Sequence, residues 1–208
     1  MPFIQVGTKK ILFVHIPRTG GTTTEHWLRG FAPLRLFTFG VPSCLKCTPQ
    51  HLTWSDIEAL FGEGYFDYGF AIVRNPYRRL ESEYKLRHAL AKQGFFKGIE
   101  TFPAWVETTL AQARGNPWIL DNHIRPQWQF ASRHMRIFKF EDGLETIWAT
   151  VRDEAGLSVH TPAPPSQLGT EAFDGVIDWD IREINLVREF YRQDFETFGY
   201  DPDADPTR

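Results

Sequence analysis

The sequence lacks two features that would have pointed to particular environments. No run approaches the roughly 18 apolar residues of a membrane span, and the first apolar run begins almost at Met1, without a cleavable signal segment. We therefore expect a cytoplasmic protein with no membrane span. The net charge is only −3, so no global basic field favours nucleic acid as a partner. Any site for an anion must come from the local placement of arginine and lysine.

Cysteine is also scarce, with Cys44 and Cys47 as the only two, in the segment SCLKC. A lone CxxC pattern is compatible with a redox pair, half of a zinc site or a short-range disulfide, and His51 offers a third possible ligand. Four convincing zinc ligands and a thioredoxin-like context are missing. We therefore favour two ordinary loop thiols and expect no metal.

Length and composition are typical of one globular domain over residues 1–208, since 42% of the residues are hydrophobic and 24% are charged. Apolar runs alternate with segments of helical periodicity. This alternation predicts an α/β fold with a central, mostly parallel sheet flanked by helices and with ligands at the carboxyl ends of the strands. The predicted strands are 10–16, 70–73 and 135–140, and the predicted helices are 22–31, 53–62, a segment from Pro76, 103–114, 144–156 and 178–197.

Local signals support several of these boundaries. Thr22 or Thr23 is expected to cap the first helix, and Thr53 or Ser55 the second. Asn75 followed by Pro76 is a typical helix start. The proline-rich segment 158–170 predicts an ordered loop or lid.

The segment HIPRTGGTTT, residues 15–24, predicts a phosphate-binding loop. An apolar strand runs into two glycines and then into a helix, so backbone N–H groups and a helix N-terminus converge at one point. The hydroxyls of Thr19, Thr22 and Thr23 can add hydrogen bonds, and Arg18 adds positive charge. The triphosphatase pattern GxxxxGK[ST] is absent because no lysine precedes the threonines, which disfavours an enzyme that uses adenosine triphosphate.

A second anion site is predicted where the strand FAIV ends in Arg74. A charged side chain directly after a buried run needs a partner, and its position at the strand's carboxyl end puts it in the layer of the phosphate loop. Two separated anion sites suggest a nucleotide with phosphates at two places. For Arg78 and Arg79 we favour a solvated helix face that pairs with Glu81 and Glu83.

These segments resemble those of sulfotransferases that use 3′-phosphoadenosine 5′-phosphosulfate (PAPS). FVHIPRTGGTTT is similar to their 5′-phosphosulfate loop, and FAIVRNPYRRLESEY to their 3′-phosphate segment. HLTWSDIEALFG, DNHIRPQWQF, RIFKFED and FYRQDFETFGYD resemble further segments of the carbohydrate O-sulfotransferase branch, which includes chondroitin and uronosyl 2-O-sulfotransferases. The resemblance covers most of residues 11–201 in the family's order and implies a three-layer, P-loop-like fold.

The resemblance implies PAPS as the sulfate donor, with no metal required, and a hydroxyl acceptor on a glycan or glycoconjugate. Arg18 to Thr23 (Arg18, Thr19, Gly20, Gly21, Thr22 and Thr23) would hold the 5′-phosphosulfate, and Arg74 with Ser82 the 3′-phosphate. Arg18 stands where the family usually has lysine. It keeps the cation, and its fixed donors can stabilise the leaving phosphate.

Transfer to a hydroxyl needs a base, and histidine has a pKa of ~6.5 that suits this role. Among seven histidines, His51 is our first candidate because it opens a segment that resembles a histidine-led element of the branch. His123 is the second, with Arg125 as a contact for an acidic acceptor. Glu25 and Glu83 remain alternatives, and His15 is expected to be structural.

Two other functions stay open at this point. A regulatory or scaffold protein that binds the nucleotide without turnover would keep the pocket and transfer nothing. A phosphotransferase would bind a magnesium-triphosphate complex. Tryptophans Trp54, Trp105, Trp118 and Trp128 can stack on sugar rings, although we favour core positions for them.

Overall fold

The structure is a computed structural model that describes residues 1–95, 97–158 and 173–206. These residues form four strands and seven α-helices. The strands are β1 (Phe3–Val6), β2 (Lys9–Val14), β3 (Tyr68–Val73) and β4 (Arg136–Lys139), and the helices are α1 (Gly21–Arg29), α2 (Trp54–Phe61), α3 (Pro76–Lys92), α4 (Phe102–Gly115), α5 (Leu144–Ala155), α6 (Ile181–Phe190) and α7 (Arg192–Phe198).

The four strands form one mixed sheet in the order β1-β2-β3-β4. β1 pairs antiparallel with β2, whereas β2 with β3 and β3 with β4 pair in parallel. The prediction of a mostly parallel α/β sheet flanked by helices is therefore confirmed. β1 was not predicted, and the strand predicted over 10–16 ends at Val14, because Ile16 N–H turns back to the Val14 carbonyl.

The chain divides into two compact units. The first unit comprises Met1–Arg74 and Gln127–Gln167 and contains the whole sheet with α1, α2 and α5. One sheet face packs its Phe13 and Phe70 rings against Trp27 of α1 and Trp148 of α5. Residues that point to the other face, such as Leu12 and Ala71, are buried as well. Both faces of the central strands are therefore covered.

The second unit comprises Asn75–Pro126 and Leu168–Arg208 and is helical where it is described. Tyr77, Leu80 and Tyr84 of α3 lie in its core, as their helical spacing predicted. Trp105 of α4 and Tyr191 between α6 and α7 complete that core. Burial of these large side chains supplies the apolar area that stabilises this unit.

Helix boundaries follow the predicted caps in three cases. Thr53 caps α2 in a capping box with Asp56, Asn75 caps α3 ahead of Pro76, and α5 ends at Gly156 in the left-handed conformation. The prediction for the last helix was wrong in its extent. It begins at Ile181 and is broken at Tyr191, whose hydroxyl donates to the Ile124 carbonyl.

The outcome differs for the predicted loop, the two cysteines and the expected lack of a membrane span. The predicted loop 158–170 lies outside the described residues except for Ser158. No disulfide joins Cys44 to Cys47, and the first residue is exposed whereas the second is buried. In the part of the chain that the structure describes, no helix is long and apolar enough to cross a membrane.

Candidate functional site

The loop between β2 and α1 forms a tight turn at the carboxyl end of the sheet. Arg18 and Gly20 both have left-handed backbones, with φ of 69° and 82°. Only glycine adopts this conformation without a steric cost, so Arg18 is locally strained. A Cβ atom on Gly20 would lie 3.0 Å from the Phe140 ring and from Leu144. The turn is therefore closely packed.

The first turn of α1 has no side-chain cap. The helix begins at Gly21 with Gly20 as N-cap, so the prediction that Thr22 or Thr23 caps it was wrong. Both threonines lie inside the first turn because the helix starts one residue earlier than predicted. The first N–H groups of a helix have no intrahelical acceptor, and they carry the positive end of the helix dipole. This geometry suits an anion.

The threonine hydroxyls are used in different ways. Thr19 is fully buried and donates its hydroxyl proton to the Ile16 carbonyl at 2.8 Å, so its side chain shapes the loop. Thr24 accepts from the indole N–H of Trp148. Within the described residues, the hydroxyls of Thr22 and Thr23 have no hydrogen-bond partner. These two remain available to a ligand.

Arg74 is held against the phosphate loop by several contacts within the first unit. Its Nη1 atom donates to the Arg18 carbonyl at 3.3 Å. Its guanidinium group stacks on the Phe140 ring, 4.5 Å from the ring centroid. The Gln127 side chain accepts from the Arg74 N–H at 2.9 Å and donates to the Arg74 carbonyl at 2.8 Å. The structure thus brings the two predicted anion-binding arginines, Arg18 and Arg74, to one place.

His51 also lies in the first unit, in a short 3₁₀ turn ahead of α2. Its ring is 9% exposed, and its Nδ1 lies 3.3 Å from the Thr48 hydroxyl. The ring packs edge-on against the His15 ring, with centroids 4.9 Å apart. His15 in turn contacts the start of α1, since a Cβ on Gly21 would lie 1.9 Å from its Nε2. His51 is therefore connected to the phosphate loop through one side chain.

The remaining predicted residues lie in the second unit. Ser82 is half-buried on α3. His123 places its Nδ1 at 2.7 Å from the buried Glu83 carboxylate, which also accepts from Arg87 at 2.6 Å. The Arg125 guanidinium lies on the Trp118 ring at 4.7 Å from its centroid. A buried carboxylate thus holds His123, and an aromatic face supports Arg125.

The solvated role expected for Arg79 was wrong. Its side chain is 2% exposed and donates to the carbonyls of His123 at 2.7 Å and Arg125 at 2.9 Å. Arg78 does pair with Glu81, as expected. Arg79 lies on the inner side of α3, where backbone carbonyls of the segment before Pro126 replace water as its acceptors. It therefore fixes the segment that carries His123 and Arg125.

The sequence profile of the sulfotransferase family matches residues 1–201. The chain belongs to this family. The resemblance of the chain to sulfotransferases is therefore confirmed at the level of the family. No curated protein matches the chain, and no solved structure does.

Two residues of this candidate site, and one pairing within it, were not predicted from the sequence. Gln127 clamps the Arg74 backbone, Phe140 supports both Arg74 and Gly20, and His15 pairs with Glu25. Gln127 lies in the segment DNHIRPQWQF that resembled the family, but nothing in its residue type indicates a bond to Arg74, 53 residues earlier. Contacts of that range arise from the fold.

Proposed function

We propose that the protein transfers a sulfuryl group from PAPS to a hydroxyl on a carbohydrate acceptor. The observation that carries this proposal is the contact of the Arg74 guanidinium with the Arg18 carbonyl, beside the uncapped start of α1. A donor with a 5′-phosphosulfate and a separate 3′-phosphate would use both cationic positions. The missing lysine pattern disfavours a triphosphate.

The 5′-phosphosulfate would lie on the first turn of α1. The N–H groups of Gly21, Thr22 and Thr23 point along the helix axis and can donate to its oxygens, and the hydroxyls of Thr22 and Thr23 are available. Arg18 would add a cation at the bridging oxygen.

The 3′-phosphate would be bound by Arg74. Its guanidinium is oriented by the Phe140 ring and by the Arg18 carbonyl, so little side-chain freedom is lost on binding. A planar guanidinium donates to two phosphate oxygens at once. The contribution of Ser82 to this phosphate stays a prediction from the family resemblance.

The proposed reaction is one in-line displacement at sulfur. The acceptor oxygen forms a bond to sulfur, the bond from sulfur to the bridging oxygen breaks, and adenosine 3′,5′-bisphosphate leaves with the bonding electrons. The acceptor proton passes to a base. Arg18 and the N–H groups of α1 stabilise the charge that develops on the leaving phosphate, so the proposed mechanism invokes no metal.

His51 is the base that we favour, because it lies near the phosphate loop within one unit. If its Nδ1–H donates to the Thr48 hydroxyl oxygen, its Nε2 carries a lone pair that can accept the proton. Glu25 is engaged by His15, and Glu83 by Arg87 and His123. Both carboxylates therefore suit a supporting role better than that of the base.

His123 and Arg125 are proposed as contacts for the acceptor. Arg125 presents its cation beside the half-buried Trp118 ring, a combination that suits a sugar ring carrying an acidic group. Trp105 is buried in the core of the second unit and is excluded from such a role. A hydroxyl on an acidic glycan is therefore the proposed target.

Transfer of radiolabelled sulfate from PAPS tests the proposal, with unsulfated chondroitin, heparosan and simple alcohols as acceptors and with EDTA present. We expect label on a glycan, and a loss of about 10²–10⁴-fold in kcat for His51→Ala, which is the usual contribution of a general base. His134→Asn, at an exposed histidine, is the matched control and should retain full turnover.

Two outcomes would contradict the proposal in different ways. Tight binding of adenosine 3′,5′-bisphosphate without transfer to any acceptor would favour a regulatory or scaffold protein that uses the nucleotide pocket. Transfer at the normal rate by His51→Ala would leave the reaction in place and remove His51 as its base.

A further inference from the structure

His15 and Glu25 form a buried polar pair that the proposed mechanism does not use. His15 directly follows β2, and Glu25 lies in the second turn of α1. The imidazole Nδ1 lies 2.6 Å from the Glu25 carboxylate, and the two residues are 7% and 4% exposed. A carboxylate only accepts hydrogen bonds, so Nδ1 carries the proton. Because burying such a pair costs desolvation energy, the pair alone is weak evidence for stability.

The rest of the His15 ring is in contact with two parts of the proposed site. Its Nε2 lies so close to Gly21 that a Cβ atom there would be only 1.9 Å away. Its ring meets the His51 ring at an angle of 84°, with the centroids 4.9 Å apart. The imidazole therefore lies between the first residue of the anion-binding helix and the proposed base.

We infer that His15 is a positioning residue for His51, and that Glu25 fixes its orientation. This inference rests on the proposed function, because it assigns a role toward the proposed base. A base must lie within hydrogen-bond reach of the proton it takes, and supporting side chains must hold it to about 0.5 Å. His15 sets the separation of His51 from the first turn of α1, where the sulfuryl group would lie.

The geometry favours positioning over direct participation. The Nδ1 of His15 is hydrogen-bonded to Glu25, and its Nε2 lies against the Gly21 backbone, so close that a Cβ atom on Gly21 would clash with it. His15 is almost wholly buried, with 7% of its surface exposed. We therefore assign His15 a role through His51 and not that of the base.

The first test is kinetic. His15→Asn keeps an amide N–H near Glu25 and removes the part of the ring that faces His51, and Glu25→Gln removes the carboxylate with little change of shape. We expect each variant to lose at least tenfold in kcat while its Kd for adenosine 3′,5′-bisphosphate changes less than twofold. His134→Asn should match the wild type in both quantities.

A double-mutant cycle separates positioning from general damage. If His15 acts through His51, His15→Asn has no further effect on kcat in a His51→Ala background, because the group being positioned is absent. Losses that multiply in the double variant would overturn the inference. So would wild-type kcat in both single variants, or a loss confined to bisphosphate affinity.

A second measurement needs no acceptor and no turnover. The ¹⁵N shifts of the His51 ring distinguish the Nδ1–H from the Nε2–H tautomer. We expect one tautomer in the wild type and values shifted toward the average of the two tautomers in Glu25→Gln and His15→Asn. If the His51 ¹⁵N shifts are unchanged in folded variants, the inference is overturned even if sulfate transfer is observed. If the shifts move toward the average of the two tautomers but no transfer is found, only the proposed function is contradicted.

Discussion

Gly21 is the position at the start of α1 where an added side chain would clash most severely with its surroundings. The His15 imidazole occupies the position of a Cβ atom there, and this ring is held in place by Glu25. The pattern of two adjacent glycines predicted close approach of a ligand to the backbone. In the structure, Gly21 is also required by a neighbouring side chain.

Gly21→Ala is expected to displace His15 and to lower stability by about 1–3 kcal/mol, the usual cost of overpacking a close contact. Urea unfolding measures this cost. Gly40→Ala is the matched control, because a Cβ at Gly40 meets no atom within 4 Å and its φ is not in the left-handed region. Equal stability of the two variants would contradict the close packing at Gly21.

Arg18 is the residue where the chain departs from the family's usual lysine. We expect Arg18→Lys to retain donor affinity within about threefold, since the charge remains, and Arg18→Ala to lose about 10²–10³-fold in kcat, the usual cost of removing a donor to a developing anion. Steady-state kinetics with PAPS separates the two effects. Full turnover by Arg18→Ala would remove Arg18 from the proposed mechanism.

At the scale of elements, helix α2 shows how a local cap supports the site. Thr53 accepts from the Asp56 N–H, and Asp56 accepts from the Thr53 N–H, so the helix start is fixed two residues after His51. The turn that carries His51 leads directly into this cap. The cap at Thr53 therefore helps to fix the backbone position of His51.

Thr53→Ala is expected to cost about 1 kcal/mol of stability, which is typical of a lost N-cap. Chemical denaturation measures it. Thr150→Ala is a suitable control, because the Thr150 hydroxyl only returns to the Thr146 carbonyl within α5 and contributes no cap. If Thr150→Ala lowered the free energy of unfolding as much as Thr53→Ala, the assignment of Thr53 as a stabilising N-cap would be contradicted.

Elements with local signals could be predicted from the sequence, and those set by distant contacts could not. Asn75-Pro76, Thr53 and Gly156 contain their own capping chemistry, so their helix ends were predicted correctly. The break at Tyr191 has no glycine or proline to mark it in the sequence. The burial of Arg79 depends on carbonyls of a segment more than 40 residues later.

The same distinction applies to the site. The sequence singled out the loop 18–23, Arg74 and His51 because strand ends, glycines and family segments mark them, and their role stays a prediction. The His15–Glu25 pair and the Gln127 clamp were missed, since each depends on side chains that meet only after the first unit has folded.

At the scale of the whole molecule, stability should fall at alkaline pH because of buried tyrosines. Desolvation raises the pKa of Tyr191 well above its ordinary value, and the residue is 2% exposed. Above pH about 10 the unfolded chain loses this proton while the folded protein keeps it. Stability therefore falls by up to about 1.4 kcal/mol for each pH unit in that range.

Tyr191→Phe is expected to reduce this alkaline slope and to cost about 1 kcal/mol at neutral pH, because the bond to the Ile124 carbonyl is lost. Urea unfolding at pH 8, 10.5 and 11 measures both effects. Below pH about 9 the variant and the wild type should have parallel profiles. An unchanged slope above pH about 10 would contradict the raised pKa of Tyr191.

Titration calorimetry with adenosine 3′,5′-bisphosphate tests the central claim most directly, because it measures the proposed donor site without an acceptor. Arg136→Ala, at an exposed pair with Glu154, is the control for loss of one arginine. We predict one-site binding, unchanged in Arg136→Ala and weakened about 10–100-fold in Arg74→Ala, as expected for lost bonds to a charged group. No binding by the wild type, or equal binding by Arg74→Ala, would contradict the account.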